Sequence, residues 1–337
     1  MREGSARRSP VPDPAARDGR VTRRRFLAGL GVLAGAGFAA PFAARGRDPR
    51  RVEVSRPMLG TWVRMVVVHP DAERASRAIG AAYAAIARVD AQMSIHRSDS
   101  QLAAVNRAAG KGAVAVDPEV VEVVARACDV AARSGGVYDP TVLPLMELWG
   151  FYRARETWPS DREIAAAAGR VGHAAVRADR AAGTVALARP GMGLDLGSIG
   201  KGWALDRAVD ALRAHGVRSA LVDVGGNVYG LGTPGDGAAG WSIGVAHPVT
   251  GAVERVFVLR DAAVATSGNT EQYRVIAGQR VGHLFDARRG RPADGHLLAS
   301  VEAATGVESD ALSTAAFLLG PSAFGAWPGA RAVHFVG

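Results

Sequence analysis

One apolar helix is predicted by the stretch Ser309-Asp310-Ala311-Leu312-Ser313-Thr314-Ala315-Ala316-Phe317-Leu318-Leu319-Gly320, which carries only a few small polar groups. Asp310 and Thr314 are four residues apart, so a helix places them on one face. A carboxylate beside a hydroxyl suits a hard cation such as Mg²⁺, and a carboxylate in so apolar a segment is costly to bury without a partner. A helix N-terminus, with Ser309 as N-cap and Asp310 favoured by the helix dipole, explains the same residues. The stretch alone leaves both interpretations open.

The N-terminal residues carry the pattern of an export signal. The segment Thr22-Arg23-Arg24-Arg25-Phe26-Leu27 precedes an apolar run from Phe26 to Ala44. Paired arginines before such a run are typical of twin-arginine export, and small residues at 39–44 offer cleavage sites. The run is also long enough to remain as a membrane anchor, although its glycines and Pro41 favour export.

The predicted domains and the charge balance follow from this signal. We predict a twin-arginine signal peptide at 1–44, a linker at 45–55 and one domain at 56–337, exported to the periplasm or to the outer face of the cytoplasmic membrane. Eight arginines and three acidic residues lie in 1–44, so the rest of the chain keeps +4 of the formal net charge of +9. Because much of the basic character belongs to the leader, we expect no nucleic-acid partner. Cys128 is the only cysteine, which excludes an internal disulfide.

The periodicity of the remaining chain predicts an α+β fold. Helical spacing of apolar residues occurs at 71–92 and 117–134, and strand-like runs occur at 241–246, 253–258 and 262–266. Strands often follow one another without an intervening helix, which argues against a doubly wound parallel sheet. We therefore predict mostly antiparallel sheets flanked by helices.

Glycine-rich turns carry polar groups that suit a phosphate-bearing ligand. The segment from Asp195 to Asp206 contains three glycines that let backbone N–H groups approach an anion, and Lys201 adds a point charge. Its spacing is not that of a P-loop, and a plain strand-to-helix turn fits it equally well. The segment Asp223-Val224-Gly225-Gly226-Asn227 permits close approach of a flat ligand, or is a simple tight turn.

A third polar segment contains a histidine. Hydroxyls and an amide in Thr266-Ser267-Gly268-Asn269 can bind phosphate or ribose. His283 follows, and an imidazole can act as a general base or acid near neutral pH. A structural role for His283 explains the sequence as well.

Taken in order, these segments resemble the ApbE family of FAD:protein FMN transferases, from residue 56 to 320. The matching elements are Met58-Leu59-Gly60-Thr61 (with one inserted residue), Met93 to Ser100 with Asn106, Tyr138 to Val142, Pro144-Leu145, Leu148 to Phe151, 195–202, 223–227, 265–268 and the helix with Asp310 and Thr314. Two features depart from the family pattern. Ala287 and Arg289 stand where the family has Pro and Thr, and His96 stands where an aromatic residue is common.

The resemblance implies a two-lobed fold with FAD between the lobes. Mg²⁺ would be held by Asp310, Thr314 and the backbone carbonyl of Ser198, and His283 or Asp286 would be the base. The residues implied in binding FAD are Met58, Thr61, Ser94, Asp139, Lys201, Asp223, Gly225, Gly226, Asn227, Thr266, Ser267 and Gly268. The implied reaction moves FMN from FAD to a Thr or Ser hydroxyl of an exported acceptor protein and releases AMP. Membrane contact would come through the acceptor or an uncleaved leader.

Two alternative functions remain open at this point. One is Mg²⁺-dependent hydrolysis of FAD to FMN and AMP, with water as the acceptor. The other is an exported flavin-binding or redox protein that holds FAD without cleaving it. The pairing of Asp310 with Thr314 favours cleavage, because a carrier needs no metal, and AMP release from FAD and Mg²⁺ separates the two classes.

Replacing Arg23 and Arg24 by lysine is expected to keep the precursor inside the cell, because the export machinery reads the paired arginines. The measurement is immunoblotting of periplasmic and cytoplasmic fractions. Lysine at Arg7 and Arg8, a second arginine pair that precedes no apolar run, is the control and should leave export intact. Wild-type export of the first variant would contradict the twin-arginine assignment.

Overall fold

The computed structural model describes residues 50–235, 237–270, 272–325 and 327–337. Contacts divide the chain into Met1–Ala34 and Gly35–Gly337, and every described residue belongs to the second unit. The predicted signal peptide and the first part of the predicted linker therefore lie outside the described residues.

A seven-stranded antiparallel sheet is the centre of the fold. The described strands are β1 Arg51–Met58, β2 Thr61–Val68, β3 Ala113–Ala115, β4 Val176–Asp179, β5 Thr184–Leu187, β6 Ala220–Val224, β7 Asn227–Leu231, β8 Trp241–Ala246, β9 Val253–Leu259, β10 Ala262–Gly268, β11 Tyr273–Ile276, β12 Gln279–Gly282, β13 Phe285–Asp286, β14 Arg291–Pro292, β15 Leu298–Ala303 and β16 Ala330–Val336. The large sheet has the order β1-β2-β6-β7-β10-β15-β16, and β3-β5-β4, β8-β9, β11-β12 and β13-β14 form smaller sheets. Every pairing found among the described strands is antiparallel, which confirms the prediction against a parallel sheet.

Helices pack on the large sheet and between the smaller ones. Those described are α1 Ala72–Met93, α2 Gln101–Arg107, α3 Pro118–Arg133, α4 Leu143–Leu148, α5 Asp161–Ala168, α6 Gly200–Ala214 and α7 Gly306–Phe324, with a 3₁₀ turn at His173–Ala175. Nowhere in the described part of the chain does a helix have the length and apolarity needed to cross a membrane. The helices predicted at 71–92 and 117–134 are confirmed as α1 and α3.

The two faces of the large sheet belong to different cores, because side chains alternate along a strand. Val63, Met65 and Val67 lie in the main core with the helices. Val66 points to the opposite face, where it packs with Trp241 and other residues of the β8–β9 hairpin. A third cluster surrounds Trp149 and joins α4 and α5 to β11–β13. The sheet is therefore covered by helices on one face and by a hairpin on the other.

The first hairpin begins earlier than the sequence suggested. β1 starts at Arg51, which pairs with Val68, so sheet structure extends into the range predicted as a linker. The turn after Met58 places Leu59 and Gly60 in the left-handed region, at φ 54° and 69°. The hydroxyl of Tyr83 in α1 donates to the carbonyls of Val54 and Val63, both at 3.0 Å, and so fixes this hairpin against α1.

The helix that carries Asp310 begins one turn before the stretch first identified. Thr305 is its N-cap and accepts the Glu308 N–H at 3.3 Å. The interpretation of Ser309 as the N-cap is wrong, because its hydroxyl instead donates to the Gly306 carbonyl at 3.0 Å inside the helix. Asp310 consequently lies beyond the first turn, where the helix dipole does not explain its burial.

Helices α6 and α7 touch at two glycines. A Cβ on Gly202 would lie 2.6 Å from the Gly306 carbonyl carbon and 2.7 Å from the Asp310 Cβ. No side chain fits between the two backbones, so glycine is required at this position for steric reasons.

Gly202→Ala is expected to lower the free energy of unfolding by about 1–3 kcal/mol, because the added methyl forces the two helices apart. Urea denaturation followed by circular dichroism is the measurement. Gly80→Ala is the matched control, since Gly80 is an exposed residue of α1 with nothing within 4 Å of its Cβ position. That control should raise stability by about 1 kcal/mol. Equal effects of the two variants would show that α6 and α7 have room at the contact.

Candidate functional site

Strand register brings three polar segments to one edge of the large sheet. Met58 pairs with Thr61 across the β1–β2 turn, and Val224 pairs with Asn227 across the β6–β7 turn. Val264 pairs with Val228, so the end of β10 lies next to the second turn. The predicted residues at 58–61, 223–227 and 266–268 therefore share this edge.

The Gly225–Gly226 turn packs closely on the neighbouring hairpin. A Cβ on Gly225 would lie 2.6 Å from the Thr61 side chain, and the Gly225 N–H donates to the Trp62 carbonyl at 3.1 Å. Asp223 accepts the Gly226 N–H at 2.9 Å, and burial raises the pKa of that carboxyl. Both glycines have positive φ, at 58° and 91°. The turn thus exposes backbone where a side chain could not fit.

Asn227 follows this turn and carries an unsatisfied donor. Its side chain is only 2 % exposed, and its Nδ2 has no hydrogen-bond partner among the described residues. An orphaned buried donor costs about 1–3 kcal/mol. A ligand oxygen at this position would remove that cost.

Asp310 lies against the start of α6. Its carboxylate is nearly fully buried, and Oδ2 accepts the Gly202 N–H at 2.8 Å. Oδ1 lies 3.7 Å from the Lys201 Nζ, which donates to the Gly197 carbonyl at 2.8 Å. The structure thus brings together Asp310 and Lys201, which are 109 positions apart in the sequence.

Two hydroxyls of α7, one helical turn beyond Asp310, meet a hydroxyl near the end of β10. Ser267 Oγ lies 2.8 Å from Ser313 Oγ and 3.0 Å from Thr314 Oγ1. The sequence identified Ser267 and Thr314 but missed Ser313, although the side chain was visible in the helix stretch. Thr266 points to the opposite face of the sheet and bonds Ser300 at 2.8 Å. Ser267, and not Thr266, therefore faces α7.

Asp139 is already saturated by protein donors. It accepts both the N–H and the hydroxyl of Thr141, at 2.9 and 2.6 Å, and the N–H and Nδ1 of His173, at 2.8 and 2.9 Å. The carboxylate therefore fixes the loop before α4. Beside it, the Ser198 hydroxyl donates to the Tyr138 hydroxyl at 3.0 Å, and burial raises the pKa of Tyr138.

The hydrogen-bond partner of His283 shows which of its ring nitrogens carries the proton. Nδ1 lies 3.1 Å from the Gln272 carbonyl, which can only accept, so Nδ1 carries the proton of the neutral ring and Nε2 keeps its lone pair. Burial lowers the pKa of His283 to about 4, and the charge of Lys201 adds to the shift. Its imidazole is therefore neutral at neutral pH, and the Nε2 lone pair can accept a hydrogen bond.

The Asp286 carboxylate has more hydrogen-bond partners than the His283 ring. Its Oδ1 accepts the Arg288 N–H at 3.0 Å, and the Arg288 guanidinium lies 3.3 Å from each oxygen. The backbone carbonyl of Asp286 accepts the N–H groups of Arg289 and Gly290. The carboxylate therefore shapes its own loop, in which Ala287 and Arg289 replace the expected Pro and Thr.

Sequence reasoning missed a tyrosine–carboxylate pair. The Tyr152 hydroxyl donates to Asp195 Oδ2 at 2.5 Å, and Asp195 Oδ1 accepts the Gly197 N–H at 2.8 Å. The His96 ring meets the Tyr152 ring edge-on, with centroids 5.6 Å apart. Asp195 lay inside the glycine-rich segment, but Tyr152 gave no signal because the contact joins distant segments.

The remaining predicted residues lie at element ends. Ser94 is the C-cap of α1, and its carbonyl accepts the Ser100 hydroxyl at 2.7 Å. Met58 ends β1 and Gly268 ends β10. In the described ranges, no hydrogen bond connects the Ser94 side chain to another predicted site residue.

Comparison with known proteins identifies the family. The sequence model of the ApbE family matches residues 59–332. This chain belongs to the ApbE family. The FAD:protein FMN transferase of Treponema pallidum (strain Nichols) is 36% identical over 306 residues, covering 86% of this chain and 83% of that protein. The predicted family and its mixed helix and antiparallel-sheet fold are thus confirmed.

Two solved ApbE structures have the same fold. The ApbE protein of Thermotoga maritima superposes with a TM-score of 0.74 and 31% identity, covering 85% of this chain and 97% of that one. The apo form of the Pseudomonas stutzeri flavinyl transferase ApbE superposes with a TM-score of 0.73 and 29% identity, covering 85% of this chain and 90% of that one. The coverage shows that the fold extends over nearly all of both solved chains.

Among the described residues, the oxygen groups around Asp310 do not belong to a cluster of acidic or histidine ligands. Across the part of the chain that the structure describes, no three His, Cys, Asp or Glu side chains are grouped to hold a metal ion. Asp310 instead has hydroxyls and backbone groups as neighbours. Any ion held here would depend on one carboxylate and neutral oxygens.

The His283 ring is expected to stay neutral as pH falls from 8 to 5 and to gain its proton near pH 4, because burial disfavours the charged form. NMR of ¹⁵N-labelled imidazoles measures this titration, and His283→Gln identifies the signal. A midpoint near the ordinary value of 6.5 would contradict the proposed environment.

Proposed function

We propose that this chain is a Mg²⁺-dependent FAD:protein FMN transferase, which moves FMN from FAD to a Thr or Ser hydroxyl of an exported acceptor protein and releases AMP. The observation that carries the proposal is the meeting of Asp310 and Lys201 at the start of α6, with the paired Ser267 and Thr314 hydroxyls one helical turn further along α7. Family membership and the similarity to the FAD:protein FMN transferase of Treponema pallidum support it.

The oxygen donors at this position fit Mg²⁺. Asp310 uses Oδ2 for the Gly202 N–H, while the Thr314 hydroxyl, among the described residues, bonds only Ser267. Carboxylate, hydroxyl and carbonyl oxygens are the ligands that Mg²⁺ prefers, so we assign Asp310, Thr314 and the Ser198 carbonyl to it. The ion would neutralise charge on the pyrophosphate and on the departing AMP.

The sheet edge supplies the groups for FAD. We assign the Asn227 amide, which lacks a partner among the described residues, as a hydrogen-bond donor to the flavin nucleotide. Gly225 and Gly226 leave their backbone accessible, and Lys201 contributes positive charge near the phosphates. Met58, Thr61, Ser94, Asp223, Ser267 and Gly268 complete the assigned binding region. Asp139 and Thr266 are left out of it, because Asp139 already accepts hydrogen bonds from Thr141 and His173, and Thr266 bonds Ser300 on the opposite face of the sheet.

The transfer requires a base for the acceptor hydroxyl. The hydroxyl oxygen forms a bond to the FMN phosphorus, the bond from that phosphorus to the bridging oxygen breaks, and AMP leaves with that oxygen. We assign the hydroxyl proton to Nε2 of His283, because that ring is neutral and its Nδ1 is already occupied. Asp286 is the weaker candidate, since Arg288 pairs with its carboxylate.

Two other functions would use the same residues differently. An FAD diphosphatase would transfer FMN to water, and an FAD carrier would cleave nothing. Asp310 with hydroxyls one helical turn away favours cleavage, because a carrier has no need for a buried carboxylate near the phosphates. Twin-arginine export, which we also propose, would place the enzyme with an exported acceptor.

Asp310→Asn is expected to lower the rate of FMN transfer about a hundredfold or more, because removing one electrostatic contact to a developing charge costs several kcal/mol. Asparagine can still accept the Gly202 N–H, so the fold should be retained, whereas Asp310→Ala removes that acceptor as well. AMP release and flavin fluorescence of a Thr-bearing acceptor peptide measure the reaction at saturating Mg²⁺.

Thr314→Val is the matched control for charge. It removes a neutral ligand and should reduce the rate less than Asp310→Asn does. Near-normal transfer by a folded Asp310→Asn variant would place the metal elsewhere.

A further inference from the structure

Helices α6 and α7 share a short sequence pattern, and the residues of each pattern contact the other helix. Each has a glycine followed four residues later by an aspartate, Gly202 and Asp206 in α6, and Gly306 and Asp310 in α7. Residues four apart lie on one helical face. The two faces meet at the glycines, as the close approach of Gly202 to Gly306 shows.

Each aspartate accepts backbone N–H groups from the first turn of the other helix. Asp206 accepts the N–H groups of Gly306 and Val307, at 2.6 and 2.9 Å. Asp310 accepts the N–H of Gly202 at 2.8 Å. These N–H groups have no partner within their own helix, so the helices cap each other reciprocally.

The glycines make this geometry possible. A Cβ on Gly306 would lie 2.6 Å from the Gly202 carbonyl oxygen and 3.0 Å from Asp206 Oδ1. Any side chain there would push α7 away from Asp206. The position of Asp310 relative to α6 is thus determined by the contact between Asp206 and the start of α7.

The two carboxylates differ in what they leave free. Asp206 uses both oxygens to accept backbone N–H groups of α7, whereas Asp310 accepts a backbone N–H of α6 with Oδ2 alone and directs Oδ1 towards the Lys201 side chain. Desolvation raises the pKa of Asp206 to about 6, so keeping this half-buried carboxylate ionised at the α6–α7 contact is costly. A buried charge that only caps a helix could be replaced by a neutral cap such as Thr305, which is already present.

We propose that Asp206 is a positioning residue for the metal-binding carboxylate: by holding the first turn of α7, it fixes Asp310 at the start of α6. The inference rests on the proposed function, because it assigns Mg²⁺ to Asp310. Asp206 itself touches neither ion nor substrate.

Asp206→Asn tests this role, because asparagine replaces one of the two accepting oxygens by an NH₂ group, which would face a backbone N–H as a second donor. Calorimetry of MgCl₂ added to protein saturated with ADP, which supplies an uncleaved adenosine pyrophosphate, measures metal affinity without turnover. We expect the affinity to fall roughly tenfold or more, as for other groups that orient a metal ligand. Amide hydrogen exchange should become faster at Gly202 and at 306–313.

Asp210→Asn is the matched control. Asp210 lies on the same helix and pairs with Arg207 at the surface, 2.7 Å away. Its substitution should leave both the Mg²⁺ affinity and the exchange of α7 unchanged.

A folded Asp206→Asn variant with wild-type affinity would overturn the proposal. If that variant does not fold, Gly306→Ala gives the same test, since it retains Asp206 and moves α7. Weaker Mg²⁺ binding by Gly306→Ala supports the proposal, and unchanged binding refutes it. If the wild-type protein binds no Mg²⁺, both this proposal and the metal part of the proposed function are wrong. If the wild-type protein binds Mg²⁺ and the variants bind it with the same affinity, this proposal alone is wrong.

Discussion

The contact between α6 and α7 is the constraint on which the site depends. Gly202 and Gly306 allow the helix backbones to touch, and the N–H groups of the touching first turns donate to the carboxylates of Asp310 and Asp206. Asp310 can be buried because a Gly202 N–H meets it and Lys201 lies nearby. Without this contact, burying a single carboxylate of an apolar helix would lower the stability of the fold.

The large sheet adds the second half of the site. Antiparallel register places the Gly225–Gly226 turn, Asn227 and the end of β10 at one edge, and α7 brings Thr314 to Ser267 there. Rigid elements hold these groups, so few side chains need to move to meet a ligand. His283 lies in a loop region outside the large sheet, where burial keeps its ring neutral.

Local signals in the sequence predicted part of this arrangement. Spacing of four placed Asp310 and Thr314 on one helix face, and strand runs without intervening helices predicted the antiparallel sheet. The N-cap was misassigned because both Thr305 and Ser309 suit a cap, and only the folded backbone distinguishes them. Pairs such as Tyr152 with Asp195 could not be predicted, because nothing local encodes contacts across more than 40 residues.

Quantifying both products from FAD tests the central claim, FMN transfer to protein, most directly. The protein is incubated with FAD, Mg²⁺ and a Thr-bearing acceptor peptide. Chromatography measures the AMP released, and mass spectrometry measures the mass of the peptide. Transfer predicts one AMP for each peptide that gains FMN, and neither product when Mg²⁺ is chelated. AMP with free FMN and unmodified peptide would show a hydrolase, and intact FAD would show a carrier; either result contradicts the account.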